Sequence, residues 1–329
     1  MMTKLIQKLM MVLALVGLAL QPAAAAAKSK DPIKVSNAKA AAGTQQVAIG
    51  QFTLAVLVER KDNAKAGGGL LGGGFGGKST VRSRLEGVTP EQMQAVADAA
   101  YEDFAAKLTA QGFTLIDHAA LAAYVAPLKA AEQFAEKTIV VGKDDKAKAL
   151  MVGATQTGPL RLMDGDYNMA GIGDMGTRQT AWKTQGAMQQ YAKDTGVRVI
   201  NVVYVMNFAA SDEYGGWHRS TSSVKVASSL GLAPEATKVT LVGPGTPAQL
   251  VLKQPIGVGG DYFAKADAMG GGEKAVRAVT KVLSILGGGG SNSVKKFTFT
   301  ALPGAYPDAA IQAAATANTG MAERLASLR

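Results

Sequence analysis

From Gln46 to Arg60, apolar side chains recur at a spacing near two, at Val47, Ile49, Phe52, Leu54, Val56 and Val58, which predicts a strand. Thr89-Pro90-Glu91-Gln92 then opens a helix: Thr89 caps, proline fits the first turn, and Gln92 reaches back to close a capping box. Its apolar stripe is Met93, Val96, Ala97, Ala100, Phe104 and Leu108, and Gly112 suits the turn that ends it. Phe113 to Asp117 reads as a short strand. A second helix is expected over 119–126, restarted by Pro127 into 128–135. Short apolar runs follow at 138–141 and 149–152. Residues 177–194 carry a helical stripe (Ala181, Met188, Tyr191, Ala192) stopped by Gly196, and 197–208 is near-continuously apolar, as a strand buried on both faces would be. Three more strands are predicted at 223–230, 237–242 and 249–253, separated by Pro and Gly turn signals in the manner of an antiparallel meander. A helix over 273–286, a glycine linker at 287–290, a strand at 294–300 and an alanine-rich helix over 307–328 complete the series. The expected fold class is α/β (α+β): a mixed β-sheet flanked by helices, with the antiparallel meander in the second half.

Two stretches interrupt that pattern. Residues 61–80 are glycine-dominated and are expected to form a loop, since glycine loses the most backbone entropy on ordering. At the start of the chain, Lys4 and Lys8 flank the entry to an apolar run from Leu9 to Leu20; Gln21-Pro22 breaks it, and Ala23–Ala27 offers small-residue cleavage sites. This is the signal-peptide pattern over 1–27, and the run is too short to span a bilayer. Residues 28–45, rich in Lys, Ala and Ser, are expected as a flexible lead-in to a single domain over 46–329. No cysteine follows for lipid attachment, and without a twin arginine the chain is expected to cross the membrane unfolded; exported without disulfides, its expected destination is the periplasm, the outer envelope or the exterior of a bacterial cell.

Composition removes much chemistry. The 329 residues are 47% hydrophobic and 18% charged, enough to bury a core and not the balance of a disordered chain. Absence of cysteine excludes disulfides, thiolate zinc sites, cysteine nucleophiles and iron–sulfur clusters, and two histidines, His118 and His218, exclude a multi-histidine metal site. Gly72-x4-Gly77-Lys78-Ser79 matches the phosphate-loop pattern, but that motif needs a strand just before it and a helix opening at the lysine, and neither is expected. Gly171-x-Gly173-x-x-Gly176 follows a polar stretch and reads as a glycine turn, not a dinucleotide site. Asp164-x-Asp166-x-Asn168 resembles the opening of a calcium loop, yet Met169 and Met175 stand where glycine and glutamate are required. No cofactor is expected.

Charge is more informative. The formal net charge of +10 falls to +8 once Lys4 and Lys8 leave. Arg60, Lys61, Lys65, Lys78, Arg82 and Arg84 cluster against Asp62 alone, around an apolar tip of Leu70, Leu71 and Phe75. Cations flanking such a tip suit an anionic membrane surface or an acidic partner. A second candidate contact is the Tyr-Gly-Gly-Trp-His-Arg segment at 214–219, with Tyr214, Trp217, His218 and Arg219. Nucleic acid is not an expected partner, because the envelope destination and the scarcity of aromatics argue against it.

The order strand (46–60), helix, strand, helix, strand (197–208), with the phrase KLTAQGFTLIDHAAL from Lys107 to Leu121, resembles the α/β domain shared by the curli secretion channel family and the N-terminal domain of the TolB translocation protein. The resemblance implies an envelope assembly, secretion or accessory role through protein contacts, with homo-oligomers common. The curli channel is a lipoprotein and this chain lacks the cysteine, so pore formation does not carry over, and neither do any site residues. The leading expectation is a non-enzymatic envelope accessory or assembly protein. The alternatives are a small-ligand binder with a pocket between 177–194 and 223–253, and a hydrolase using Asp164, Asp166 and Asp174.

Overall fold

The computed structural model describes residues 31–65, 77–141, 145–163, 175–214, 223–269 and 293–329. Over these the chain runs β1 (Ile33–Ser36), β2 (Gln46–Lys65), β3 (Lys78–Glu86), α1 (Pro90–Ala110), β4 (Thr114–Leu115), α2 (His118–Val125), β5 (Glu136–Val141), β6 (Asp145–Gly153) and α3 (Met175–Thr195). It continues through β7 (Arg198–Tyr214), β8 (Ser223–Leu232), β9 (Lys238–Val242), β10 (Ala248–Leu252), β11 (Ile256–Val258), β12 (Phe263–Asp267), β13 (Ser293–Ala301) and α4 (Ala305–Ala326). The strands form one mixed sheet whose main path is β1-β10-β9-β7-β2-β3-β13-β12. The fold is therefore α/β with a mixed sheet, as expected.

Helix α1 ends as its sequence dictates. Thr89 Oγ1 accepts from the Gln92 amide at 3.3 Å, and Gln92 Oε1 accepts from the Thr89 amide at 3.0 Å. At the other end Gly112 takes φ +81, and the Phe113 and Gly112 amides bond back to the carbonyls of Leu108 and Thr109, the two bonds of a Schellman cap. Helix α4 packs on this helix, and its alanines Ala309, Ala310, Ala313, Ala314 and Ala317 are buried. Asn318 pins the contact: it accepts from the Tyr204 hydroxyl at 2.7 Å and donates to the Ala100 carbonyl and to Asp103 Oδ2. Helices α2 and α3 pack together around a separate cluster that includes Leu121, Met188, Tyr191 and Val199.

Strand β2 is the spine. Its first half pairs in parallel with β7, from Val47 opposite Arg198 to Val56 opposite Met206, and β6 runs antiparallel along its other edge. A bulge at Gly50 shifts the register between Ile49 and Gln51; an added Cβ there would sit 2.4 Å from a Val199 methyl, so only glycine fits. Past a second bulge, between Leu57 and Glu59, the edge vacated by β7 is taken by β3, from Glu59 opposite Arg84 to Lys65 opposite Lys78. The sheet forks here. One wing is β7–β8; the other is β2–β3–β13–β12. The wings close over an aromatic core in which Phe208 meets Phe299 at 5.5 Å and Phe263 meets Tyr306 at 5.8 Å. The Lys265 amine bridges them by donating to the Val226 carbonyl.

The meander is present in the second half, but with broken rails. Strands β8 and β9 do not follow each other across the sheet. Both run antiparallel along the same edge of β7, one after the other, and β11 and β10 repeat the arrangement outside them. Pro234 and Glu235 (φ 64) make the break, and Val205 spans it: its carbonyl accepts from Ala233, and its amide donates to the Thr237 hydroxyl.

Three expectations are corrected. Within the 28–45 segment, residues 33–45 are not a free lead-in, because β1 pairs with β10 from Ile33 opposite Leu252 to Ser36 opposite Gln249, and Ile33–Arg329 form one compact unit. No helix forms over 128–135: the Ala131 and Phe134 amides donate to Leu160 and Met151 carbonyls, and Phe134 takes φ 57. Residues 61–65 and 78–80, expected within the 61–80 loop, belong to strands, since β2 continues to Lys65 and β3 begins at Lys78; residues 66–76 lie outside the described residues. Lys78-Ser79 therefore opens a strand, with Ser79 buried, and not the helix a phosphate loop requires. The helix expected over 273–286 lies outside the described residues.

Candidate functional site

The face of the β2–β3–β13 wing turned away from the aromatic core is basic, and strand register builds it. Alternation buries Asp62, Ala64, Ser79, Val81, Ser83 and Leu85, and leaves Lys61, Lys65, Arg82, Arg84 and Glu86 exposed. In the ladder, Lys61 is opposite Arg82, and Arg82 is opposite Lys296. Three cations thus stand in one row across three strands, an arrangement that like-charge repulsion disfavours. Two residues along, Lys148, Glu59, Arg84 and Thr298 form the next row. A cleft of about 570 Å³ lies over these rows, lined by six cationic side chains and two carboxylates.

The acids are already engaged. Glu59 lies 3.2 Å from the Lys148 amine, which also contacts Glu136 at 2.9 Å, and Glu86 lies 3.5 Å from Arg84. The hydrogen bond to Glu136, with that to Glu59 after it, raises the Lys148 pKa, so this lysine stays charged. Among the described residues, neither Lys61 nor Arg82 has an acidic partner. The rim is hydrogen-bonding, with Thr138 and Thr298.

Of the sequence-derived contact residues, Arg60, Lys61, Arg82 and Arg84 line this cleft, and Lys65 and Lys78 stand opposite each other further along the same wing. Arg60 differs in its partners. Its guanidinium sits in the fork, donating to Asn207 Oδ1 at 2.9 Å and to the Ala209 carbonyl, and pairs with the buried carboxylate of Asp62. It holds the wings together and is not an open surface cation. Tyr214 is the last residue of β7, opposite Ser223. Leu70, Leu71, Phe75, Trp217, His218 and Arg219 lie outside the described residues, as do Asp164, Asp166 and Asp174.

Sequence reasoning missed Lys148, Lys296, Glu59 and the two threonines. They come from strands far apart in the chain, and only register brings them together. His118 Nδ1 lies 3.0 Å from the Ile49 carbonyl, at the start of α2 and away from the cleft. Among the described residues no group of three or more His, Asp or Glu is placed to hold a metal ion, and no helix is long and apolar enough to cross a membrane. No family model, curated protein or solved structure matches this chain.

Proposed function

We propose that this chain is an exported cell-envelope accessory protein that acts without catalysis, by docking its basic sheet wing on an anionic envelope surface. The observation that carries the reading is the register row Lys61–Arg82–Lys296, in which neither Lys61 nor Arg82 has an acidic partner among the described residues. The leader-like pattern at 1–27 supports the periplasm, outer envelope or exterior as its place. An opposing anionic surface converts the repulsion along the row into attraction, and salt weakens that attraction. The test is size-exclusion chromatography with light scattering, with and without vesicles of phosphatidylglycerol and phosphatidylcholine, against vesicles of phosphatidylcholine alone. Capture by the anionic vesicles alone is the expected result. A stable monomer that ignores anionic vesicles contradicts the proposal.

A further inference from the structure

The cleft is more than a charged patch, and its geometry points to a defined ligand. We infer that the cleft over β2, β3 and β13 binds a diphosphate group, held by Lys61, Arg82 and Lys296. This inference rests on the reading of the wing as an anion-docking face and names the chemistry of the anion.

The argument begins from spacing. Adjacent strands lie about 4.8 Å apart, so the row of three cations spans roughly 10 Å, and Arg84 is about 7 Å from Arg82 along β3. A single phosphate reaches two neighbouring cations of such a row; two linked phosphates reach all three. The arginine fork gives paired donors to phosphate oxygens, and lysine adds a point charge on either side. The volume, about 570 Å³, falls in the range of small-ligand sites. Neither carboxylate lining the cleft competes for Lys61 or Arg82, since Glu59 faces Lys148 and Glu86 faces Arg84. A face built for stability alone would alternate signs across the strands, as Glu59 opposite Arg84 does. The row at Lys61 repeats one sign three times.

The same diphosphate chemistry can be presented by a soluble molecule or by a phosphorylated lipid headgroup. Isothermal titration of the folded chain with inorganic pyrophosphate and, separately, with inorganic phosphate tests the site. Pyrophosphate is expected to bind about tenfold or more tightly than phosphate, and Lys61→Gln and Arg82→Gln are each expected to weaken it about tenfold or more. Lys193→Gln on α3, with the same loss of charge, leaves it unchanged. Circular dichroism confirms that the variants fold, which the exposure of both cleft residues leads us to expect. Pyrophosphate that also releases the protein from anionic vesicles assigns the ligand to headgroups; pyrophosphate that binds without releasing it assigns a soluble ligand. Intact vesicle capture with no pyrophosphate binding, or equal weakening by Lys193→Gln, overturns the diphosphate site and leaves the docking reading standing. Loss of both overturns the two together.

Discussion

Arg60 and Asp62 decide how the basic wing is held, and replacing Arg60 by methionine tests that role. The side chain of Asp62 is 3% exposed and that of Arg60 is 16% exposed, so the pair lies largely out of water. Arg60→Met keeps the length of the stem while removing the ion pair, the bond to Asn207 Oδ1 and the bond to the Ala209 carbonyl. What remains is a buried carboxylate without its cation. Breaking a pair of this kind from one side costs about 3–5 kcal/mol, and the partial exposure of Arg60 places this case near 3. Removing both charges, as in Arg60→Met with Asp62→Leu, restores most of the loss, because no uncompensated charge is left in the fork. Urea unfolding followed by circular dichroism at neutral pH measures each variant. A single variant that loses less than about 1 kcal/mol, or a double variant as unstable as the single one, refutes the argument that Arg60 neutralises Asp62 in the fork.

The Asn318 network makes a parallel case: Asn318→Ala strands the fully buried Tyr204 hydroxyl and is expected to cost about 2–4 kcal/mol, with Tyr204→Phe sub-additive to it in a double-mutant cycle. Gly112→Ala, at φ +81 with ordinary contacts, is expected to cost about 1 kcal/mol by urea unfolding. Gly231→Ala should cost far more, since its Cβ would fall 2.3 Å from the Ile256 carbonyl oxygen where β8 and β11 touch backbone to backbone. Burial raises the hydroxyl pKa values of Tyr204 and Tyr306. Their contribution to stability is therefore complete below the unfolded tyrosine value of about 10 and is lost as pH rises above it. Urea midpoints between pH 8 and 11 should fall at the alkaline end, and the fall should be shallower in Tyr204→Phe; a flat profile counts against the assignment.

Much of the frame could be read along the chain, because local rules control it. The capping box at Thr89 and the glycine stop at Gly112 appear where the residues place them. Even the first bulge has a signature: the apolar spacing of two in β2 slips to three between Ile49 and Phe52, across Gly50. The strand β3 left no such trace. Its inward residues include Ser79 and Ser83, and the facing part of β2 turns Asp62 and Ala64 inward, so burial there is not announced by apolar alternation. The site was half legible for the same reason. Lys61, Arg82 and Arg84 share one stretch of sequence, whereas Lys148 and Lys296 join them only through pairings that the linear pattern does not encode.

The docking claim is tested most directly by the affinity for vesicles of phosphatidylglycerol and phosphatidylcholine across a salt series, compared between the native chain and the double variant Lys61→Gln with Arg82→Gln. Each basic residue near such a surface contributes about 1 kcal/mol, so the double variant is expected to bind roughly thirtyfold more weakly at low salt and to respond less steeply to added salt. Equal affinity and equal salt response in the two proteins would contradict the account.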